Sequence, residues 1–187
     1  MTELPERFET VYKALDRTDL LAAPVAAALA GWSGPTASDS FFVVDSDPAV
    51  ADTAAFCERY GAHMEESANC VVVRAKKGAD YHLAACMTLA HRRLDVNGAV
   101  RRHLGARKAS FAPMDVTVEE TGMEYGGITP LGLPSSWPVL IDAAVVEVPY
   151  VLLGSGRRRG KLLAPGKALA ELPGAQVVEG LAQDLAP

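Results

Sequence analysis

Two adjacent glycines sit in a run that can be neither regular helix nor regular strand: residues 121–134 read TGMEYGGITPLGLP. Gly126 and Gly127 lack a Cβ and reach positive φ, so a ligand can approach their amides, while Pro130 and Pro134 fix φ and stiffen the flanks. Such a run makes a rigid cradle of N–H groups; the competing reading is a surface turn joining two strands. A second glycine turn, Gly154, Ser155 and Gly156, leads into Arg157, Arg158 and Arg159, and read alone it is a hairpin turn with solvated charges. Nucleophilic chemistry finds less support. No Ser-His-Asp or Cys-His set is marked out by spacing, and Cys70 and Cys86 fall in apolar strand-like runs where a thiolate is disfavoured. Asp142 follows the apolar PVLI run and is either an orienting acid or, more simply, an acceptor for nearby amides. The odd number of cysteines, without C-x-x-C spacing, and the scattered histidines predict neither a disulfide framework nor a metal site.

These residues need a frame. Helical spacing of Phe8, Val11, Tyr12 and Leu15 predicts a helix over residues 4–16, and an alanine-rich stretch with Pro24 early and Gly31 late predicts a second over 19–32. Residues 41–44 read as a short strand. The DSDP run at 45–48 then caps a helix ending at Gly61, with Val50, Ala54, Cys57 and Tyr60 on its inner face. NCVVVRA at 69–75 reads as a central strand and 81–87 as its hairpin partner. Asp95 caps a helix to Leu104, 108–111 is a strand, and 115–120 is a turn or two of helix delivering the glycine run. Residues 139–141, 146–153 and 161–163 complete the strands. A short helix spans 165–172, Val177 and Val178 end the sheet, and the tail frays. Strands outnumber long helices and follow mostly in hairpin order, so the expected class is α+β, a mixed and mostly antiparallel curled sheet with flanking helices. Residues 1–40 form a helical extension packed on a body of 41–187.

A chain of 187 residues with 49% apolar content can bury one good core. Its apolar runs fall short of the roughly 20 residues of a membrane span, and the polar start is unlike a secretion signal, so the expected location is the cytoplasm. The net charge of -5 is lopsided: residues 1–70 hold 4 Lys/Arg against 12 Asp/Glu, residues 71–187 hold 14 against 11. The basic clusters at 74–77, 92–93, 101–108 and 157–161 are solvated faces, or a landing surface for phosphates if they converge on one cleft.

The order GGITPLG, WPVLIDAA, VLLGSGRRRG, preceded by HRRLD and LGARKASFA, resembles the YbaK and prolyl-tRNA synthetase-associated domain family, whose loop has the form GGxSPxG. The likeness runs from about Phe41 to the C-terminus. One position departs: Asn69 stands where the family carries a lysine opening its KTLVV-like strand. The resemblance implies a deacylase that hydrolyses the ester of a mischarged tRNA in trans, for a small amino acid. It needs no cofactor and relies on a positioned water and the substrate's 2'-hydroxyl. The amides of Gly126, Gly127 and Ile128 then stabilise the oxyanion, each worth roughly 3–4 kcal/mol when removed. Thr129 replaces the family's usual serine and donates to the carbonyl or ribose, or holds the loop. Asn69 retains part of the lysine's role. Ile128, Pro130, Asp142, Gly154, Ser155 and Gly156 border the substrate, and Arg157, Arg158 and Arg159 meet tRNA phosphates. The partner is the tRNA acceptor end; neither DNA nor membrane is expected, and a homodimer stays open. Two alternatives belong to other classes: a catalytically silent module that binds an amino acid, nucleotide or aminoacyl-tRNA 3' end, and an interaction domain working through its acidic N-terminal region.

Overall fold

The computed structural model describes residues 4–185. Three sheets carry the fold. The first has the order β1 (Val11–Lys13), β2 (Phe42–Val44), β9 (Lys161–Pro165), β8 (Tyr150–Gly154), all antiparallel. The second has the order β10 (Ala175–Val178), β7 (Val139–Asp142), β4 (Asp80–Leu89), β3 (Ala68–Lys77), β6 (Lys108–Phe111), parallel only at β10–β7 and β7–β4. A small third sheet pairs β5 (Arg92–Leu94) with β11 (Ala182–Asp184). The main core lies where α1 (Ala23–Ala30) and the inner faces of the two large sheets meet, built from Leu21, Val25, Val43, Met87, Ile141 and Leu153 among others. A bridge between Ser67 and Leu152 links the two sheets just before β3 begins. The mixed, mostly antiparallel class read from hairpin order is the class observed.

The β3–β4 hairpin turns at Gly78, whose φ of 60° suits glycine. α2 (Thr53–Tyr60) starts at Asp52, whose carboxylate accepts from Ala54 and Ala55 N–H, and ends at Gly61 in the left-handed region. The DSDP run caps something shorter: Asp47 holds only the 3-10 turn Pro48–Val50. That extra break resets the helix phase, so Phe56 and Cys57 point inward in place of Val50 and Ala54. Asp95 caps a π-helical turn, Val96–Val100, that runs into α3 (Arg101–His103). α4 (Met114–Thr121) leads into the glycine run through Gly122.

Residues 4–16 are not one helix. They form a 3-10 turn Leu4–Arg7, the edge strand β1, and the start of a 3-10 segment Ala14–Leu20. Val11 and Tyr12 are strand formers, and the open edge of β2 offers them a full ladder. Leu20, Leu21, Val25 and Leu29 sit in the main core, so the described part of residues 1–40 shares that core with the body. Residues 146–153 are not a continuous strand either. Asp142 caps α5 (Ala143–Val146), Pro149 follows, and β8 starts only at Tyr150. α6 (Gly166–Leu169) is shorter than expected. Ala182–Asp184, expected to fray, is held against β5, with Arg92 donating to Ala182 O and pairing with Asp184.

Candidate active site

A pocket of about 490 Å³ opens between the start of β3, the N-terminus of α2, the glycine loop and the head of β9. That size lies within the roughly 300–1,000 Å³ of small-molecule sites. Ala68, Cys70 and Val72 give it an apolar sheet wall, and Phe111, Met114 and Tyr125 stand at its edge. Asp52, Thr53 and Asn69 form a polar corner: the Thr53 hydroxyl donates to Asn69 Oδ1 at 2.8 Å, leaving Asn69 Nδ2 with no partner among the described residues. Asp52 is the only carboxylate among the lining residues. Its Oδ1 is taken by the helix cap, and Oδ2 has no partner among the described residues.

The glycine loop is held by its neighbours through main-chain bonds. Gly127 donates to Glu124 O at 3.0 Å, Gly127 O accepts from Gly156 at 2.7 Å, and Glu124 donates to Gly156 O at 2.9 Å. This leaves the amides of Gly126 and Ile128, both on the pocket, with no acceptor among the described residues. The glycines serve close packing. A Cβ on Gly127 would lie 2.5 Å from Arg157 O, and one on Gly154 would lie 2.2 Å from Gly127 O. Gly127→Ala is therefore expected to destabilise the fold by at least about 2 kcal/mol, seen as a lower melting temperature. An unchanged melting temperature with lost turnover would show instead that Gly127 fronts the substrate.

Lys161 opens β9 and is only 4% exposed, yet it lines the pocket. Its Nζ donates to Ala51 O at 2.6 Å, the one acceptor it has among the described residues. Burial pushes its pKa below the ordinary lysine value, opposed mainly by the Asp52 carboxylate. Arg158 ties the site together: its N–H donates to Glu124 Oε2 at 2.6 Å, Nη1 to Tyr125 O at 3.2 Å and Nη2 to Pro48 O at 3.0 Å. Burial raises the Cys70 thiol, and pushes Cys86 up to about 12, so neither supplies a thiolate at neutral pH.

Of the residues singled out in the sequence, Asn69, Gly126, Ile128 and Gly154 line this pocket. Gly127, Thr129, Pro130, Asp142, Ser155 and Gly156 do not. Thr129 is fully buried, and its hydroxyl has no partner among the described residues. Pro130 borders a different cavity of about 340 Å³ against Trp32 and Leu133. Asp142 is buried beneath β5 and β11, paired with Arg92 and accepting from Ala144 and Ala182 N–H, so its oxygens are spent on structure. Ser155 Oγ donates within its own turn, to Gly160 O, and Gly156 packs on Ala22 and Val25. The arginines are likewise engaged: Arg157 Nε donates to Leu21 O, and Arg159 pairs through two bonds with Asp45. Lys161, Asp52 and Thr53 were not legible as site residues. Lys161 follows three arginines and reads as one more solvated charge until the β8–β9 register turns it inward.

The family model described as an aminoacyl-tRNA editing domain matches residues 47–172, a span that includes every residue lining the pocket. A solved structure described as "a putative trans-editing enzyme for prolyl tRNA synthetase" superposes with a TM-score of 0.70 at 25% identity, over 84% of this chain and 94% of that one. A scaffold protein used for epitope grafting gives a TM-score of 0.70 at 24% identity, over 84% and 95%. A hypothetical protein gives 0.66 at 22%, over 75% and 90%; these last two speak for the fold alone. With more than half of its length matched by the family model, the chain belongs to the aminoacyl-tRNA editing domain family.

Proposed function

We propose that this chain hydrolyses, in trans, the ester joining a small, wrongly attached amino acid to its tRNA. The observation that carries the reading is one pocket with two unpartnered amides, Gly126 and Ile128, and a buried ammonium, Lys161. The ester carbonyl oxygen takes the two amides. As a water oxygen bonds to the carbonyl carbon, negative charge grows on that oxygen, where fixed donors act most strongly. The carbon–oxygen bond to the ribose then breaks, and the ribose oxygen leaves with the proton that the attacking water gives up. Asp52 Oδ2 suits the α-ammonium of the amino acid, while Ala68, Val72 and Ala112 accommodate an uncharged side chain. Incubation with a panel of mischarged tRNAs tests this: release of one or a few small amino acids is the expected result, and neither turnover nor binding across the panel would sink it.

A second reading is favoured by Asn69, which on the sequence resemblance takes the place of a lysine and whose Oδ1 is already taken by Thr53. In it the pocket binds an acylated 3' end without hydrolysis. Asparagine supplies a neutral donor, and charge-assisted bonds are roughly twice as strong as neutral ones. Asn69→Lys is therefore expected to raise deacylation, and Asn69→Ala to raise KM while costing only about 1 kcal/mol of stability from the lost Thr53 bond. If lysine changes nothing and alanine lowers only the melting temperature, Asn69 is a structural residue.

A further inference from the structure

The sheet wall of the pocket continues past its edge. Val72 and Ala112 line the pocket, joined by the Ala112 N–H bond to Val72 O at 2.9 Å. Outward from there, the β3–β6 ladder sets Arg74 opposite Ser110 and Lys76 opposite Lys108. Residues two apart on a strand share a face, and paired residues project to the same side. Arg74, Lys76 and Lys108 therefore extend the face that carries Val72, the lysine pair about 14 Å beyond it at about 3.4 Å per residue. Tyr81, opposite Lys76 on β4, shares that face.

Like charges directly opposed across a sheet are destabilising, and nothing here neutralises them. None of the three cations makes an ion pair among the described residues. The Arg74 guanidinium lies 4.1 Å from the centre of the Tyr81 ring, and Lys76 Nζ lies 5.5 Å from the same ring. Arg74 Nε is buried with no hydrogen-bond partner among the described residues. At the near end of this ledge the pocket mouth carries Tyr125, 56% exposed, whereas Phe111, paired with Val73, belongs to the other face of the sheet. An exposed aromatic beside a basic track is the arrangement that single-stranded RNA uses, with bases stacked and phosphates neutralised.

We infer that the ledge formed by Arg74, Lys76 and Lys108 holds backbone phosphates of the RNA strand whose 3' end enters the pocket, with Tyr125 stacking a terminal base. The inference rests on the editing reading above and assigns that partner a docking face. The ledge cations make no hydrogen bond or ion pair among the described residues, whereas Arg157, Arg158 and Arg159 are held by protein acceptors.

The test is binding of a labelled tRNA acceptor-stem minihelix to wild type and to the double variant Lys76→Gln, Lys108→Gln, between about 50 and 200 mM salt. The variant should bind at least tenfold more weakly at low salt, and its slope of log K against log salt should be shallower by about 1.4–1.8, two cations' worth. The melting temperature should hold or rise, because a like-charge pair is gone. Hydrolysis of a short aminoacyl ester of adenosine, too small to reach the ledge, should lose less than twofold. Equal affinity and slope in the two proteins, with the wild type still binding, overturn the ledge and leave the editing reading in place. A wild type that neither binds the minihelix nor cleaves the ester removes both. Loss of binding to anionic vesicles with RNA binding intact would reassign the ledge to a lipid surface and overturn the inference.

Discussion

Lys161→Met is expected to cost about 100-fold in turnover, the scale of losing one preorganised donor, while leaving the melting temperature equal or higher. The two effects share a cause. Lys161 is buried with a single carbonyl acceptor, and its nearest compensating charge, Asp52, is too distant for an ion pair among the described residues. An under-compensated buried cation destabilises a fold, and under the proposed editing function its contribution is to a bound ligand. Methionine fills similar space without the charge. The pH dependence separates this account from a packing effect. Burial holds the folded pKa of Lys161 below its unfolded value of 10.5, so the unfolded chain binds more protons in the interval between the two values. Wild-type stability is therefore lowest below that interval and rises as pH climbs through it. The advantage of Lys161→Met in melting experiments should be largest near neutral pH and shrink towards pH 10.5. A variant that loses stability at every pH, in step with its activity, would make Lys161 a structural residue.

How much of this was legible depends on which interactions set each element. The β3–β4 hairpin was readable because its ten residue pairs follow local rules: a branched apolar run, a glycine turn and an apolar return strand. The Gly61 stop and the Asp95 cap are local too, and both stand where the sequence placed them. Failures came where a distant partner decided. Val11 and Tyr12 fit a helical stripe equally well, and only the free edge of β2, some thirty residues later in the chain, makes them a strand. Ala182–Asp184 looks like a fraying end until Arg92, far back in the chain, anchors it.

The site shows the same division. Glycine content marked the loop, because backbone that must pass within van der Waals distance of other backbone excludes side chains whatever the ligand. It could not say which glycine faces solvent and which faces protein. Gly126 fronts the pocket, and Gly127 is packed against Arg157. Charge was misleading for a related reason. The four basic residues within 157–161 look alike in sequence, yet Arg159 meets Asp45, Arg158 clamps the loop and Lys161 is buried, each according to the register of β8 and β9. Lys76 and Lys108, far apart in the chain, become a facing pair only through β6.

Arg158→Ala is expected to lower kcat by about 100-fold with a much smaller loss of stability. Its side chain touches no atom placed to react, so it is a positioning residue. The guanidinium spans two carbonyls, Tyr125 O on the glycine loop and Pro48 O on the turn before α2. These are the segments that carry the Gly126 amide and Asp52 to opposite sides of one pocket. Without the span the loop keeps its bonds to Gly156 and stays folded, but the distance between its amide and the α2 corner is no longer set. A displacement near 1 Å at a reacting centre is enough to cost about 100-fold. Lysine is a poor replacement, because one ammonium cannot reach two carbonyls in the fixed fork of a guanidinium. Arg158→Lys should recover little of the rate although it restores the charge. The alternative role, a phosphate contact, makes the opposite prediction: lysine would restore most of the function, and the loss would appear as weaker tRNA binding that depends on salt. Hydrolysis of a short aminoacyl ester of adenosine decides between them. A slow kcat on that small substrate in both variants supports positioning, whereas a normal rate on it with a defect confined to full tRNA would move Arg158 out of the site's scaffold.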